Sequence, residues 1–187
     1  TPARRGAVTG SVGKTSVTQA IKAGLDLAGR HDGGLAHASI KSYNNHIGVP
    51  LTLARMPRDT ERAVFAVGMN HADEITPLSR FIRPHAVAIT TVGPVHLENF
   101  ADGEEGVARA KAEIFAGLEP EGVAILNADN PWFDLLKAEA EKAGAAVWSF
   151  GSGEGVTAQL LDFQVIDDGA LVTVDLRGEL IKFPLLQ

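Results

Sequence analysis

Two glycines, a lysine and a run of hydroxyl residues in Thr9-Gly10-Ser11-Val12-Gly13-Lys14-Thr15-Ser16 have the types and spacing to hold phosphate. The apolar run ahead of them reads as a strand. Behind them Val17, Ala20, Ile21, Gly24, Leu25 and Ala28 recur at helical spacing, which predicts a helix from about Gly13 to near Gly29. A glycine loop between a strand and a helix start turns backbone N–H groups inward and adds the partial positive charge of the helix dipole. Lys14 would then reach the terminal phosphates of a nucleotide, and the Thr15 hydroxyl would take Mg²⁺. The strict Gly-x-x-x-x-Gly-Lys-Thr pattern would put glycine where Val8 stands, so this is a variant with its first glycine displaced to Gly10. The plain alternative is a glycine-rich turn that only caps a helix.

Lys111 is the second informative residue. On a helix predicted over Glu104–Leu118 the buried stripe is Val107, Ile114, Phe115 and Leu118, and Lys111 falls on it. An ammonium there is costly unless it is paired or uncharged. It either snorkels its head to water or keeps a depressed pKa and reacts with CO₂, giving a carbamate with two oxygen ligands for Mg²⁺. His96 follows a predicted strand and could meet the same metal, or be merely hydrogen-bonded. Asn127 and Asp129 follow another strand. They are either turn and cap residues, worth about 1 kcal/mol, or contacts to adenine and ribose. Tyr43, Asn44, Asn45, Asn70 and His71 form amide-rich loops at expected ligand-facing strand ends, and such residues also form turns.

The elements that would position these groups alternate. Strands are predicted at 35–40, 63–67, 86–91, 123–126 and 146–150, with helices at 47–53, 74–82, 104–118 and 132–142 between them. That order implies right-handed crossovers and an α/β fold with a mostly parallel sheet flanked by helices. After Gly155 the pattern changes to short alternating runs at 159–166, 170–176 and 180–186, separated by turn signals, which predict a small antiparallel β appendage packed on the main sheet. The expected division is 1–155 for the nucleotide-binding core and 156–187 for the β subdomain.

Composition narrows the classes. The 187 residues, 45% of them hydrophobic, suffice for one sizeable packed domain. A formal net charge of −6 with scattered Lys and Arg argues against nucleic-acid binding. No cysteine is present, which excludes disulfides and thiolate metal sites. The absence of any membrane-length apolar run or signal-peptide stretch points to a cytoplasmic protein with no membrane partner. The chain opens on Thr, with the glycine loop almost at once, which suggests a piece of a longer protein.

Jointly, the motifs resemble the ATP-binding central domain of the Mur ligases, which build the peptide stem of bacterial cell-wall precursors. The matching stretches are Thr9–Thr15, Ser42–Leu51, Gly68-Met69-Asn70-His71, Gly93–Glu98, Ala110-Lys111-Ala112-Glu113-Ile114-Phe115 and Asn127-Ala128-Asp129-Asn130, in the family's order to about residue 150. The Tyr-Asn-Asn and Gly-Met-Asn-His segments are similar to the member that adds D-Ala-D-Ala to UDP-MurNAc-tripeptide. The resemblance implies a P-loop NTPase-like fold and an ADP-forming amide-bond ligase using ATP and Mg²⁺ through an acyl phosphate. It assigns ATP binding to Thr9–Ser16, Asn127 and Asp129; catalysis to Lys14, His96 and Lys111; and metal to Thr15, His96 and an N6-carboxylated Lys111. Tyr43, Asn44, Asn45, Asn70 and His71 would line the precursor side. It also implies partner N- and C-terminal domains outside this chain, a monomer, and no peptide-bond synthesis by these residues alone.

Rival readings are a P-loop switch or small-molecule kinase, a folylpolyglutamate synthase-like ligase, and a non-catalytic nucleotide-binding scaffold. One departure bears on the last. Where the family strand ends Glu-x-Gly-x-Asn with Glu as a magnesium ligand, this chain has Ala66-Val67-Gly68-Met69-Asn70, with Asp73 and Glu74 as the nearby acids that could compensate. Weak Mg²⁺ binding is the expectation. Ala66→Glu in the longer enzyme should raise ATP-dependent phosphate release, and unchanged turnover would remove position 66 from the metal site.

Overall fold

A computed structural model describes residues 3–40 and 43–186; Ser42, which opens the Ser42–Leu51 stretch, lies outside them, as do Thr1 and Gln187 at the ends of the two expected regions. The chain runs β1 (Arg4–Thr9), α1 (Lys14–Asp32), β2 (Leu35–Ala38), α2 (Gly48–Ala54), β3 (Thr60–Ala66), α3 (Ile75–Ile82) and β4 (Ala86–Ile89). It continues with α4 (Gly103–Ala112), β5 (Val123–Asn127), α5 (Phe133–Lys142) and β6 (Ala146–Gly151), and closes with β7 (Ala158–Ile166), β8 (Gly169–Leu176) and β9 (Glu179–Leu186). Short 3₁₀ turns occupy Leu97–Asn99 and Glu113–Gly117.

These strands form one nine-stranded sheet in the order β2-β3-β1-β4-β5-β6-β7-β8-β9. Pairing from β2 through β7 is parallel, and β7-β8 and β8-β9 are antiparallel. The antiparallel strands are present as expected, but they do not pack on the sheet. They extend it, because β7 joins β6 in parallel through Phe150↔Ala158 and Gly151↔Gln159.

Apolar residues on alternate strand positions feed two layers. Phe65, Val87, Ile89, Ala124 and Leu126 face the larger core, closed by Ile75, Ile82, Val107, Ile114 and Leu136 from the helices. Val8, Ala38 and Val64 face α1 through Val17, Ile21 and Leu25. By register, the α1 side of the far strands carries rows of Phe163, Val172, Phe183 and Val165, Ala170, Leu185. Here Phe163 is 54% and Val165 82% exposed. Large apolar side chains so arranged mark a face made to be covered.

The predicted helix over 104–118 is α-helical only to Ala112 and tightens into the 3₁₀ turn beyond. The reason is tertiary. Ser79 on α3 donates its hydroxyl to the Ile114 carbonyl at 2.5 Å and accepts from the Gly117 amide at 3.1 Å. The backbones approach so closely that a Cβ on Gly117 would lie 2.2 Å from the Ser79 carbonyl. Gly117→Ala should therefore destabilise the fold by about 1–3 kcal/mol, read as a lower urea midpoint with an unchanged slope.

Candidate functional site

β1, third in the sheet, is the strand at which the order reverses, with β3 on one side and β4 on the other. The crevice beyond the carboxyl ends of strands at such a point is where α/β sheets take ligands. The loop Gly10–Gly13 fills that place, and Gly13 caps α1 at φ 84, a left-handed conformation suited to glycine. Gly10 is required for space, since a Cβ there would sit 1.9 Å from Thr90 Oγ1. The Thr90 hydroxyl donates to the Val12 carbonyl at 2.5 Å. The Ser11 amide donates to the Thr91 carbonyl at 2.8 Å. Ser11 Oγ accepts from the Gly93 amide at 2.9 Å. The loop is thus held by the segment after β4, while Val12, Thr15 and Ser16 stay exposed. Thr9 Oγ1 is buried without a hydrogen-bond partner.

Lys14 donates Nζ to the Gly10 carbonyl at 2.6 Å, and burial lowers its pKa. Lys111 is 3% exposed. Burial, with the nearby charge of Lys14 as a second cause, lowers its pKa to about 7. Two helices thus each carry a desolvated amine, and the charge of one is felt at the other.

The other predicted residues divide. His96 stands in a left-handed turn (φ 56), exposed, with Nδ1 4.0 Å from Glu98 Oε1. Asn127 donates Nδ2 to the Thr90 carbonyl at 3.2 Å and accepts from the Asp129 amide at 3.0 Å. Asp129 accepts from the amide and hydroxyl of Ser152 at 2.9 to 3.1 Å, clamping the loop after β5 to that after β6. Asn45 Oδ1 accepts from the Ile47 and Gly48 amides at the start of α2. Asn44 packs on Gly68, whose amide donates to the Asn44 carbonyl at 2.7 Å. Tyr43 and Asn45 line one cavity of about 290 Å³. Asn70 and His71 lie in an exposed loop held by Glu74, whose carboxylate accepts from the Asn70 amide at 2.7 Å and pairs with His71 Nδ1 at 3.2 Å.

Sequence reasoning missed Thr90, Asn130 and Glu113. Asn130 is buried and donates to Thr91 Oγ1 at 3.0 Å and the Val92 carbonyl at 2.8 Å. The signal for Thr90 was the hydroxyl pair Thr90-Thr91 at a strand end.

Fold and loop define a P-loop NTPase-like α/β domain. The family model for the Mur ligase middle domain matches residues 8–186. The chain belongs to that family. It is 36% identical over 163 residues to the UDP-N-acetylmuramoyl-tripeptide--D-alanyl-D-alanine ligase of Rickettsia prowazekii, covering 87% of this chain and 35% of the relative. It is 40% identical over 149 residues to the Escherichia coli enzyme of the same name, covering 80% and 31%. The crystal structure of MurF from Acinetobacter baumannii superposes with TM-score 0.87 at 26% identity, over 99% of this chain and 39% of that one. The chain therefore spans about a third of the length of these curated relatives.

The lowered pKa of Lys111 makes stability depend on pH. Between about 7 and its ordinary value the unfolded chain binds the proton and the folded chain does not, so stability rises with pH; below about 7 the burial cost is fully present. Lys111→Met should therefore raise Tm by several degrees at pH 6, with the advantage narrowing towards pH 9.5, read by thermal scans of both proteins across that range.

Proposed function

We propose that this chain is the ATP-binding middle domain of an ADP-forming ligase that adds D-Ala-D-Ala to UDP-MurNAc-tripeptide. The observation that carries the reading is Lys111, buried on the apolar stripe behind the glycine loop, with its pKa lowered by burial and by the charge of Lys14. A triphosphate at the loop supplies the missing negative charge. The relatives named for this ligase share the supporting sequence at 36–40% identity. A kinase or switch would need the loop but not the second amine.

In this reading the terminal carboxylate of the tripeptide attacks the γ-phosphorus. A carboxylate oxygen–phosphorus bond forms, the bond from phosphorus to the β–γ bridging oxygen breaks, and ADP leaves. The amine of D-Ala-D-Ala then attacks the acyl carbon, phosphate departs and the amine gives up a proton. Lys14, the loop amides and the α1 terminus hold the charge that develops on the transferring phosphoryl group, where positioning and electrostatics dominate. Asn127 sits at the adenine side with Asp129 fixing its loop. Tyr43, Asn44, Asn45, Asn70 and His71 face the precursor.

Mg²⁺, when bound, supplies charge neutralisation of the phosphates. The exposed Thr15 hydroxyl with phosphate oxygens is a donor set that suits it. A second, protein-held ion fits less well. Ala66 has no donor, Glu74 is engaged by Asn70 and His71, and no group of three or more His, Asp or Glu gathers among the described residues. His96 with a carboxylated Lys111 would complete such a set, and an amine with a pKa near 7 is uncharged often enough to react with CO₂.

We place the division between the two regions near residue 155, because β6 and β7 share only two register pairs. We also propose that N- and C-terminal domains of a longer polypeptide complete the enzyme. Relatives about two and a half times as long and the exposed Phe163–Val165 face support this. The site of action is the cytoplasm, where ATP and the nucleotide-linked precursor meet; no helix among the described residues is long and apolar enough to cross a membrane.

Calorimetry of the chain with ATP and Mg²⁺ should show binding that Lys14→Ala weakens at least tenfold. The longer enzyme should release phosphate only when the tripeptide precursor and D-Ala-D-Ala are both present. Phosphate transfer to a small acceptor without either would overturn the ligase reading.

A further inference from the structure

Glu113 stands where α4 passes directly into the 3₁₀ turn Glu113–Gly117, as the last cap of the one and the first residue of the other. Its two oxygens accept from the Asp73 amide at 2.6 Å, the Ile75 and Thr76 amides at 3.0 Å each, and Thr76 Oγ1 at 3.3 Å. The orphan donors at the start of α3 are therefore satisfied from another helix, with no side-chain cap from the local cap residue Glu74. Asp73 is held at φ 66, a left-handed conformation that costs a non-glycine residue energy unless its surroundings fix it.

The segment pinned in this way is the exposed loop Asn70–Glu74. Its other end is tied by Asn99 Nδ2, which donates to the Asn70 carbonyl at 3.1 Å. Two cavities flank the loop. One of about 260 Å³ takes Gly68, Asp73 and Glu74 in its lining, and one of about 350 Å³ takes Ala72, Asn99 and Glu113. The loop is their shared wall, and Glu113 lies two residues after Lys111 on the same helical stretch.

We propose that Glu113 is a positioning residue that sets the Asn70–Glu74 wall in fixed relation to Lys111, so that the wall presents the UDP-linked peptide precursor to the phosphoryl group. This rests on the ligase reading above. The nucleotide cradle does not share the clamp, because its own bonds run from the Gly10–Gly13 loop to Thr90, Thr91 and Gly93. Loosening the clamp therefore separates precursor use from nucleotide use.

Hydrogen exchange on the 187-residue chain reads the clamp directly. Glu113→Gln, which keeps the size and one acceptor, should cut the protection of the Asp73, Ile75 and Thr76 amides about tenfold, and Glu113→Ala should cut it further. ATP affinity should stay within twofold. Should Glu113→Ala fail to fold, Thr76→Val, which removes one contact of the four, gives the smaller change in the same amides. Unchanged protection in Glu113→Gln would overturn the clamp whatever the reaction is.

In the longer enzyme, Glu113→Gln should raise KM for UDP-MurNAc-tripeptide about tenfold, a typical effect of a supporting residue. KM for ATP should be unmoved and kcat should stay within about threefold. Equal changes in both KM values, or a fall in kcat alone, would make Glu113 merely structural and overturn the positioning role. If the unsubstituted longer enzyme does not use the precursor at all, the ligase reading fails and takes the positioning role with it, while the exchange result still decides whether the clamp exists.

Discussion

A buried amine that pairs with no carboxylate among the described residues is the constraint from which the rest of the site follows. Lys111 is carried into the interior by a helix whose neighbours on the same stripe, Val107, Ile114 and Phe115, are all buried. Burying each such side chain contributes on the order of 2 kcal/mol, so the helix goes in although the lysine resists. The opposition of Lys14 adds to the cost. A protein that kept this arrangement only for stability would have replaced the lysine with a methionine. In the proposed reading, the phosphates of the nucleotide offset the opposition of the two amines.

Such a site needs a stiff frame, and the loops on the carboxyl side of the sheet provide one. Thr90 packs into the space left by the missing side chain of Gly10 and ties Val12. Ser11 bonds Gly93, Asn127 bonds Thr90, Asn130 bonds Thr91 and Val92, and Asp129 bonds Ser152. Four loops, after β1, β4, β5 and β6, are thus laced into one rim by side-chain bonds. Donors fixed before the ligand arrives need little reorganisation when charge develops on it, which is where electrostatic catalysis finds its advantage. The rim also explains why asparagine recurs there, since its amide both donates and accepts.

The sequence made the alternation of elements legible because strands buried on both faces read as short apolar runs and helices as 3.6-residue stripes. Lys111 stood out for the same reason, as a charge on a stripe. The join of β7 to β6 was not legible. Turn signals at Asp167-Asp168-Gly169 and Arg177-Gly178-Glu179 show which strands pair with their sequence neighbours, but not which edge of a sheet the first of them takes. Asn45, Asp129 and Glu113 were under-read because a capping or bridging role depends on a partner distant in sequence or on an exact backbone path. Glu113, whose bonds run 37 to 40 residues back along the chain, carries no local mark in the sequence.

Ala66 connects these threads. It is buried on β3, in register with Val8 and two residues short of Gly68, at the same carboxyl edge as the glycine loop. Its methyl side chain brings no charge to that edge, and the local balance rests on the state of Lys111 itself. Protonated, that residue opposes Lys14; neutral, it is indifferent to it; carboxylated, it becomes an anion beside Lys14, and the like-charge term changes sign to an attraction. In the proposed reading, an uncharged strand end at position 66 leaves carboxylation of Lys111 as one way to turn its opposition to Lys14 into attraction. The chemistry that would supply a metal ligand is also the chemistry that would settle the charge around Lys14.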